Sequence, residues 1–340
     1  MKLHNKFNSK ELKESIHKSK IKRTTVSFYK YHLIENPQEF RDNLYIQWDS
    51  IGVLGRIYVA NEGINAQLSV PTENFETFRT ELYQIDFLNG IRLNIAVDDD
   101  GKSFFKLAIK VREKIVADGI TDPAFDVTKI GQHLKAEDFN ALISNEETIV
   151  VDMRNHYESE IGHFERAILP DVLSFREQLP KVASMLEHNK EQPILMYCTG
   201  GIRCEKASAY MLYKGFKNVF QLEGGIIKYA NDIKEQGLEN KFKGKNFVFD
   251  ERLGEKIGNE VISKCHQCGE ACDTHTNCAN VACNLLFIQC QNCKSKYSNC
   301  CDSDCQAIAN LPEEEQKELR KGNNKGRLVF NKGKKLKTGT

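Results

Sequence analysis

The stretch from residue 193 to residue 212 constrains the fold most. Pro193-Ile194-Leu195-Met196-Tyr197 is an apolar run with no polar alternation, which predicts a strand buried on both faces. Cys198-Thr199-Gly200-Gly201-Ile202-Arg203 follows as a glycine-containing turn, and the pattern over 204–214 predicts a helix. The same alternation extends to either side. Thr148-Ile149-Val150-Val151-Asp152 and Lys217-Asn218-Val219-Phe220-Gln221-Leu222 predict strands, and Phe175 to Leu186 predicts a helix broken near Pro180. Strands alternating with helices imply a mainly parallel sheet covered on both faces, here over 131–240. Cys198 then lies at the carboxyl end of a strand, where such folds place their sites.

A cysteine on a turn that opens a helix faces backbone N–H groups and a positive helix end, and Arg203 adds a full charge. Cys198 is therefore expected to be a low-pKa, reactive thiol. Thr199, Gly200, Gly201 and Ile202 form the cradle, one residue shorter than the loop of cysteine-dependent phosphatases. A tighter cradle suits one extra sulfur, or a similarly small group carried on the thiol, better than a phosphoryl group. Cys204 is either a thiol that resolves an oxidised Cys198 or a buried residue opening the helix. Asp152 and Arg154 are expected to brace the loop.

The N-terminal part predicts a second domain. Strands are expected over 24–34, 55–60, 64–70 and 91–97, with helices over 37–50 and 72–83. That order, βαββαβ, is the ferredoxin-like one. Tyr29 and Tyr31 share one strand face, where they either stack bases or fill the core and surface. Asp98-Asp99-Asp100-Gly101-Lys102-Ser103 reads as a solvated turn before a strand near 104–111. It is not a P-loop, because the first glycine of that pattern would fall on Ala96. Residues 112–130 read as a connector, with the linker proper at 116–130.

Charge is uneven. The net charge is +1, yet residues 1–23 carry +6 and residues 311–340 carry +5, leaving −10 between them. Two basic ends suit a polyanion such as RNA, or are solvated tails. No apolar run reaches membrane-spanning length, and the first residues lack the apolar segment of a signal peptide. The expectation is a cytoplasmic protein with reduced cysteines and no membrane partner.

Ten of the twelve cysteines lie between 265 and 305. Cys265-x2-Cys268 and Cys290-x2-Cys293 form two knuckles that suit zinc. Cys278, Cys283, Cys300, Cys301 and Cys305 offer a second site, expected to include Cys278, Cys283 and Cys305. Cys272, His266 and His275 are further candidates. Zinc is expected, with an iron–sulfur cluster as the rival.

Val151-Asp152-Met153-Arg154 through His163-Phe164-Glu165-Arg166-Ala167 resembles the opening motif of rhodanese domains. The 198–203 loop resembles their active-site loop, and Glu223-Gly224-Gly225-Ile226 their closing motif. Thr199 stands where sulfurtransferases often carry a second basic residue, which argues against a small anion such as thiosulfate as substrate. Phe28-Tyr29-Lys30-Tyr31, Ala60-Asn61-Glu62-Gly63-Ile64-Asn65-Ala66, Asp98 to Ser103, Tyr197 to Ala207 and Cys265-His266-Gln267-Cys268-Gly269 extend the likeness to roughly residues 20–310. Together they resemble the rhodanese-domain tRNA uridine hydroxylase family. This resemblance implies tRNA as substrate, with no DNA partner, and oxygen-dependent conversion of the wobble uridine to 5-hydroxyuridine. It makes the loop cysteine, here Cys198, the catalytic residue, with a persulfide as one form in which it would act. The electron donor does not follow from the sequence, which has no dinucleotide signature and no two-His-one-carboxylate iron site. His163-Phe164-Glu165 has the spacing of two such ligands but falls inside the rhodanese opening motif. The alternatives are a persulfide sulfurtransferase and a non-catalytic RNA-binding adaptor.

The expected organisation is therefore a multidomain α+β and α/β chain. Residues 1–115 form a ferredoxin-like domain with a basic leader, 116–130 a linker and 131–240 the rhodanese domain. Residues 241–310 form a Cys-rich metal-binding module, and 311–340 a basic, disordered tail.

Overall fold

A computed structural model describes residues 9–321. Its N-terminal part runs α1 (Ser9–Lys18), β1 (Arg23–Tyr31), α2 (Pro37–Ser50), β2 (Leu54–Ala60), β3 (Gly63–Pro71), α3 (Phe75–Tyr83), β4 (Asn94–Ile95) and β5 (Leu107–Val111). The sheet order is β4-β1-β3-β2-β5, antiparallel except for β5, which joins β2 in parallel. Side chains alternate across a strand. Val26, Phe28, Ile57, Val59, Ile64, Ala66 and Leu68 face α2 and α3 and pack on Leu44, Trp48, Phe78 and Leu82. The other face carries Thr25, Ser27, Tyr29, Arg56, Tyr58, Asn65 and Gln67. The strand expected over 91–97 shrinks to Asn94–Ile95, because beyond Ala96, which still bonds Thr25, the chain turns away from β1.

The middle part runs β6 (Gln132–Leu134), α4 (Ala136–Ile143), β7 (Ile149–Asp152), α5 (His156–Ser159), β8 (Gly162–Phe164), α6 (Phe175–Met185), β9 (Pro193–Tyr197), α7 (Ile202–Tyr213), β10 (Asn218–Leu222) and α8 (Gly225–Gln236). Strands β6-β10-β9-β7 form one parallel sheet. The apolar run of β9 serves both faces: Ile194 and Met196 enter one core cluster, Leu195 and Tyr197 the other. Helix α6 passes through Pro180 without the expected break. Proline removes one backbone bond there, while Phe175, Leu179, Val182 and Ala183 fix the helix in the core.

β11 (Phe242–Asn246) pairs with β8, and β12 (Glu255–Lys256) pairs with β11, so the start of the C-terminal part is hydrogen-bonded to the rhodanese part. Phe242 supplies the reason, since it is buried against Phe164 in that core. The connector 112–130 has no helix or strand, yet Ile115 and Asp118 are buried. The cysteine-rich part contains β13 (His275–Asn277), β14 (Leu286–Ile288), α9 (Gln291–Lys296) and α10 (Ser303–Ala309). The tail expected to be disordered from 311 begins with α11 (Glu313–Arg320), an ordered helix with three glutamates in its first turn and Lys317 and Arg320 in its last. The rest of that tail, and the first eight residues of the basic leader, lie outside the described residues. Among the described residues no helix is long and apolar enough to cross a membrane.

Candidate active site

Strand β9 delivers Cys198 to the carboxyl edge of the parallel sheet, and α7 begins at Ile202, earlier than its sequence pattern suggested. Gly201 precedes it at φ 99° and donates its N–H to Cys198 Sγ at 3.2 Å. The loop is tied from the other side. Ile226 N donates to the Cys198 carbonyl at 3.0 Å, and Ile227 N to that of Thr199 at 3.1 Å. A Cβ on Gly225 would sit 2.5 Å from the Cys198 carbonyl oxygen, so only glycine fits there.

Cys198 is fully buried. Burial by itself raises a thiol pKa. The Cys204 S–H, the Arg203 charge and the N–H groups of Cys204 and Gly201 outweigh it and pull Cys198 down to about 6. Cys204 carries the complementary shift: burial and its bond to Cys198 push it well above the usual thiol range. The two sulfurs thus share one proton near neutral pH, with the negative charge on Cys198.

Arg203 does not bond the sulfur. Its guanidinium makes a bidentate pair with Glu158, 2.6 and 2.8 Å, and also donates to Thr199 Oγ1 at 3.2 Å. Glu158, from α5, is fully buried and was not singled out from the sequence, though it lies inside the rhodanese-like opening segment. Asp152 and Arg154 make a fully buried pair of their own. Arg154 also donates to the Gly162 carbonyl, so this pair braces the end of β7 against β8 and makes no hydrogen bond to the loop. His163 Nδ1 meets the Ser159 carbonyl at 3.1 Å, a structural role.

The polar face of the N-terminal sheet covers the loop. Tyr29 donates to Glu205 at 2.8 Å, Tyr31 to the Ile202 carbonyl at 3.4 Å, and Asn94 Nδ2 to the Gly200 carbonyl at 3.4 Å. The tyrosines hold the two parts of the chain together, and Tyr29 also lines the cavity between them. Lys206 on α7 adds a buried clamp: its ammonium meets Glu62 at 2.8 Å and also Asp118 of the connector. Between sheet and loop lies a cavity of about 390 Å³, lined by Ser27, Tyr58, Gln67, Asn94, Cys198 and Arg203 among others, with Asp250, Arg252 and Glu255 closing one side. That volume falls within the range of small-molecule sites.

The cysteine-rich part resolves into two quartets. Sγ atoms of Cys265, Cys268, Cys290 and Cys293, and likewise of Cys278, Cys283, Cys301 and Cys305, all lie within 4.8 Å of one another. A metal with four thiolates at about 2.3 Å places its sulfurs roughly 3.8 Å apart, so both quartets fit one. Cys300, among the candidates for the second site, is outside it: its Sγ faces the Ser298 carbonyl at 3.7 Å. Cys272, His266 and His275 also fall outside the quartets, with His266 Nε2 3.1 Å from Glu160. None of the twelve cysteines forms a disulfide.

Residues 23–115 match the UPF0176 acylphosphatase like domain, residues 135–232 the rhodanese-like domain and residues 243–306 the rhodanase C-terminal domain. The chain is 56% identical over 333 residues to the tRNA uridine(34) hydroxylase of Photorhabdus laumondii subsp. laumondii, covering 98% of this chain and 95% of that protein. It is 55% identical over 332 residues to the tRNA uridine(34) hydroxylase of Leptospira interrogans, covering 98% of this chain and 90% of that one. A solved rhodanese-like domain from Anabaena sp. aligns at 15% identity and a TM-score of 0.27, covering 34% of this chain and 80% of that one.

Proposed function

The chain belongs to the tRNA uridine(34) hydroxylase family, and we propose that it converts the wobble uridine of tRNA to 5-hydroxyuridine in the cavity between its N-terminal sheet and its rhodanese loop. The observation that carries the site is the thiolate of Cys198, drawn down to about 6, in the wall of a cavity large enough for a pyrimidine base.

Cys198 is the nucleophile. Arg203, held by Glu158, fixes the loop and lends its charge to the thiolate, and Thr199, Gly200, Gly201 and Ile202 form the cradle. Added to C6 of uracil, the thiolate makes C5 nucleophilic toward an oxidant. Alternatively, a peroxide oxidises the Cys198 thiolate to a sulfenic acid, and the Cys204 thiol then displaces water from it to form a disulfide that an external dithiol reduces. With dioxygen as oxidant, one oxygen atom goes to C5 and the other leaves as water, which takes two electrons from an external donor and two protons. The N-terminal domain is read as ferredoxin-like from its sheet order, and its hydrogen bonds to the loop and to α7 support reading it as a cover over the site. Each cysteine quartet is assigned a structural zinc, whose thiolate bonds supply folding free energy to a segment with a small apolar core. A tRNA substrate puts the reaction in the cytoplasm.

The rival sulfurtransferase reading draws on the same loop, but Thr199 stands where sulfurtransferases often carry a second basic residue, so the loop has only Arg203 to attract a small sulfur anion. Nucleoside mass spectrometry of tRNA tests both readings in cells that depend on this chain. Cys198→Ser is expected to abolish 5-hydroxyuridine. Normal levels would refute the assignment of Cys198, and loss of a thiolated base instead would favour sulfur transfer.

A further inference from the structure

The cavity wall contains a polar group that no described residue satisfies. Asn94 is 7% exposed, and its Oδ1 is buried without a hydrogen-bond partner. Buried polar atoms left unpaired cost free energy, so an orphan in the wall of a ligand cavity marks a place where the ligand supplies the partner. The orientation of the amide is settled by chemistry. Its other end meets the Gly200 carbonyl at 3.4 Å, and a carbonyl only accepts, so the NH2 lies there and the oxygen points away. Nδ2 keeps a second N–H. The free edge of Asn94 is therefore one acceptor beside one donor. Ser27 is directly opposite Asn94 in the β1–β4 ladder and also lines the cavity.

Uracil presents N3–H as a donor flanked by two carbonyl acceptors. Cytosine presents the reverse on one side, an unprotonated N3 beside an amino group. An amide with a free acceptor and a free donor matches the first pattern and opposes the second. Asn94 also contacts the backbone of the cysteine loop, so a base held on it lies beside Cys198.

We propose that Asn94 selects uracil over cytosine in this cavity, accepting N3–H on Oδ1 and donating from Nδ2 to an adjacent carbonyl. This rests on the wobble-uridine reading above and names the residue that reads the base. Two variants follow from the pattern. Asn94→Ala removes both bonds. Asn94→Asp, when protonated, donates to N3 of cytosine and accepts from its amino group.

The test measures binding of the full chain to anticodon stem–loop RNAs carrying uridine, 3-methyluridine or cytidine at the wobble position. The wild-type chain is expected to prefer uridine over both others by about tenfold to a hundredfold, the scale of one or two buried hydrogen bonds. Asn94→Ala should lose that preference, and Asn94→Asp should lose it or invert it toward cytidine. A merely structural role would lower all affinities together and leave the ratios unchanged. Ratios unchanged in both variants would overturn the proposal. So would a wild-type chain indifferent to 3-methylation, a result that needs no variant to fold. Nucleoside analysis of tRNA from cells expressing the wild-type chain separates the two levels. If 5-hydroxyuridine is made but the ratios do not move, only the role of Asn94 falls. If none is made, the wobble-uridine reading falls and this proposal with it.

Discussion

Replacing Cys204 with alanine should raise the pKa of Cys198. The folded protein holds that thiol at about 6 against an ordinary 9, with burial opposing the shift. The total is about 4 kcal/mol in favour of the thiolate, at about 1.36 kcal/mol per unit. Among the groups that produce it, the Cys204 S–H comes ahead of the Arg203 charge and of the Gly201 N–H. A hydrogen bond to a charged group contributes about 1.5–3 kcal/mol, so its loss should move the midpoint up by roughly one to two units, to about 7–8. Cys204→Ser keeps an O–H donor in place and should restore most of the shift. The assay is the rate of alkylation of Cys198 by iodoacetamide across about pH 5 to 9, read on the Cys198 peptide by mass spectrometry so that the other thiols do not contribute. The linkage has a fixed sign. A thiol whose folded pKa is depressed stabilises the fold most fully above about pH 9, and that contribution fades as pH falls through about 6. The alanine variant should therefore lose stability relative to wild type at neutral and higher pH, and match it more closely in acid. An alanine midpoint at or below that of the wild type would refute the idea that Cys204 holds the thiolate.

Two further outcomes follow from the same geometry. Glu158→Gln leaves the buried Arg203 guanidinium without its counter-charge and should cost about 3–5 kcal/mol in urea unfolding; a loss below about 1 kcal/mol would mean that water replaces the carboxylate. Elemental analysis should find two zinc ions per chain. Cys293→Ser or Cys305→Ser should each lower the content by one, whereas Cys272→Ser and Cys300→Ser should leave it unchanged. A protein carrying iron and absorbing at about 400 nm would overturn the zinc assignment.

The loop was legible because its determinants are local. An apolar run, two glycines and a helix pattern stand in sequence, and Cys198 sits where they meet. The first quartet was legible for a similar reason, since two C-x2-C knuckles each put their sulfurs on one turn. The second was less so. Of adjacent Cys300 and Cys301 only Cys301 joins the quartet, just after Ser298 and Asn299 adopt positive φ, a turn that no local pattern announces. Glu158 and Asn94 were not legible. A glutamate in a short polar helix normally faces water, and nothing near it in the chain announces Arg203, 45 residues on. Asn94 falls in a strand of two residues, and its importance arises only when the sheet meets the loop.

That meeting of parts is the step a strand-by-strand reading misses. Alternation along β1 gives Thr25, Ser27 and Tyr29 the polar pattern of a solvent-facing strand. In the fold they face the rhodanese loop instead, and Lys206 pins the arrangement through Glu62 on one side and Asp118 on the other. The cysteine-rich part enters the same construction. Cys265, Cys272, Cys290 and Cys293 share a core cluster with Tyr157, the neighbour of Glu158 in α5, and Glu158 holds Arg203. An isolated rhodanese domain would keep Cys198 but lose the sheet that covers it and the packing that supports the Glu158 helix. The low-pKa thiol is thus a property of the loop, while the walls that would choose its substrate belong to the whole chain.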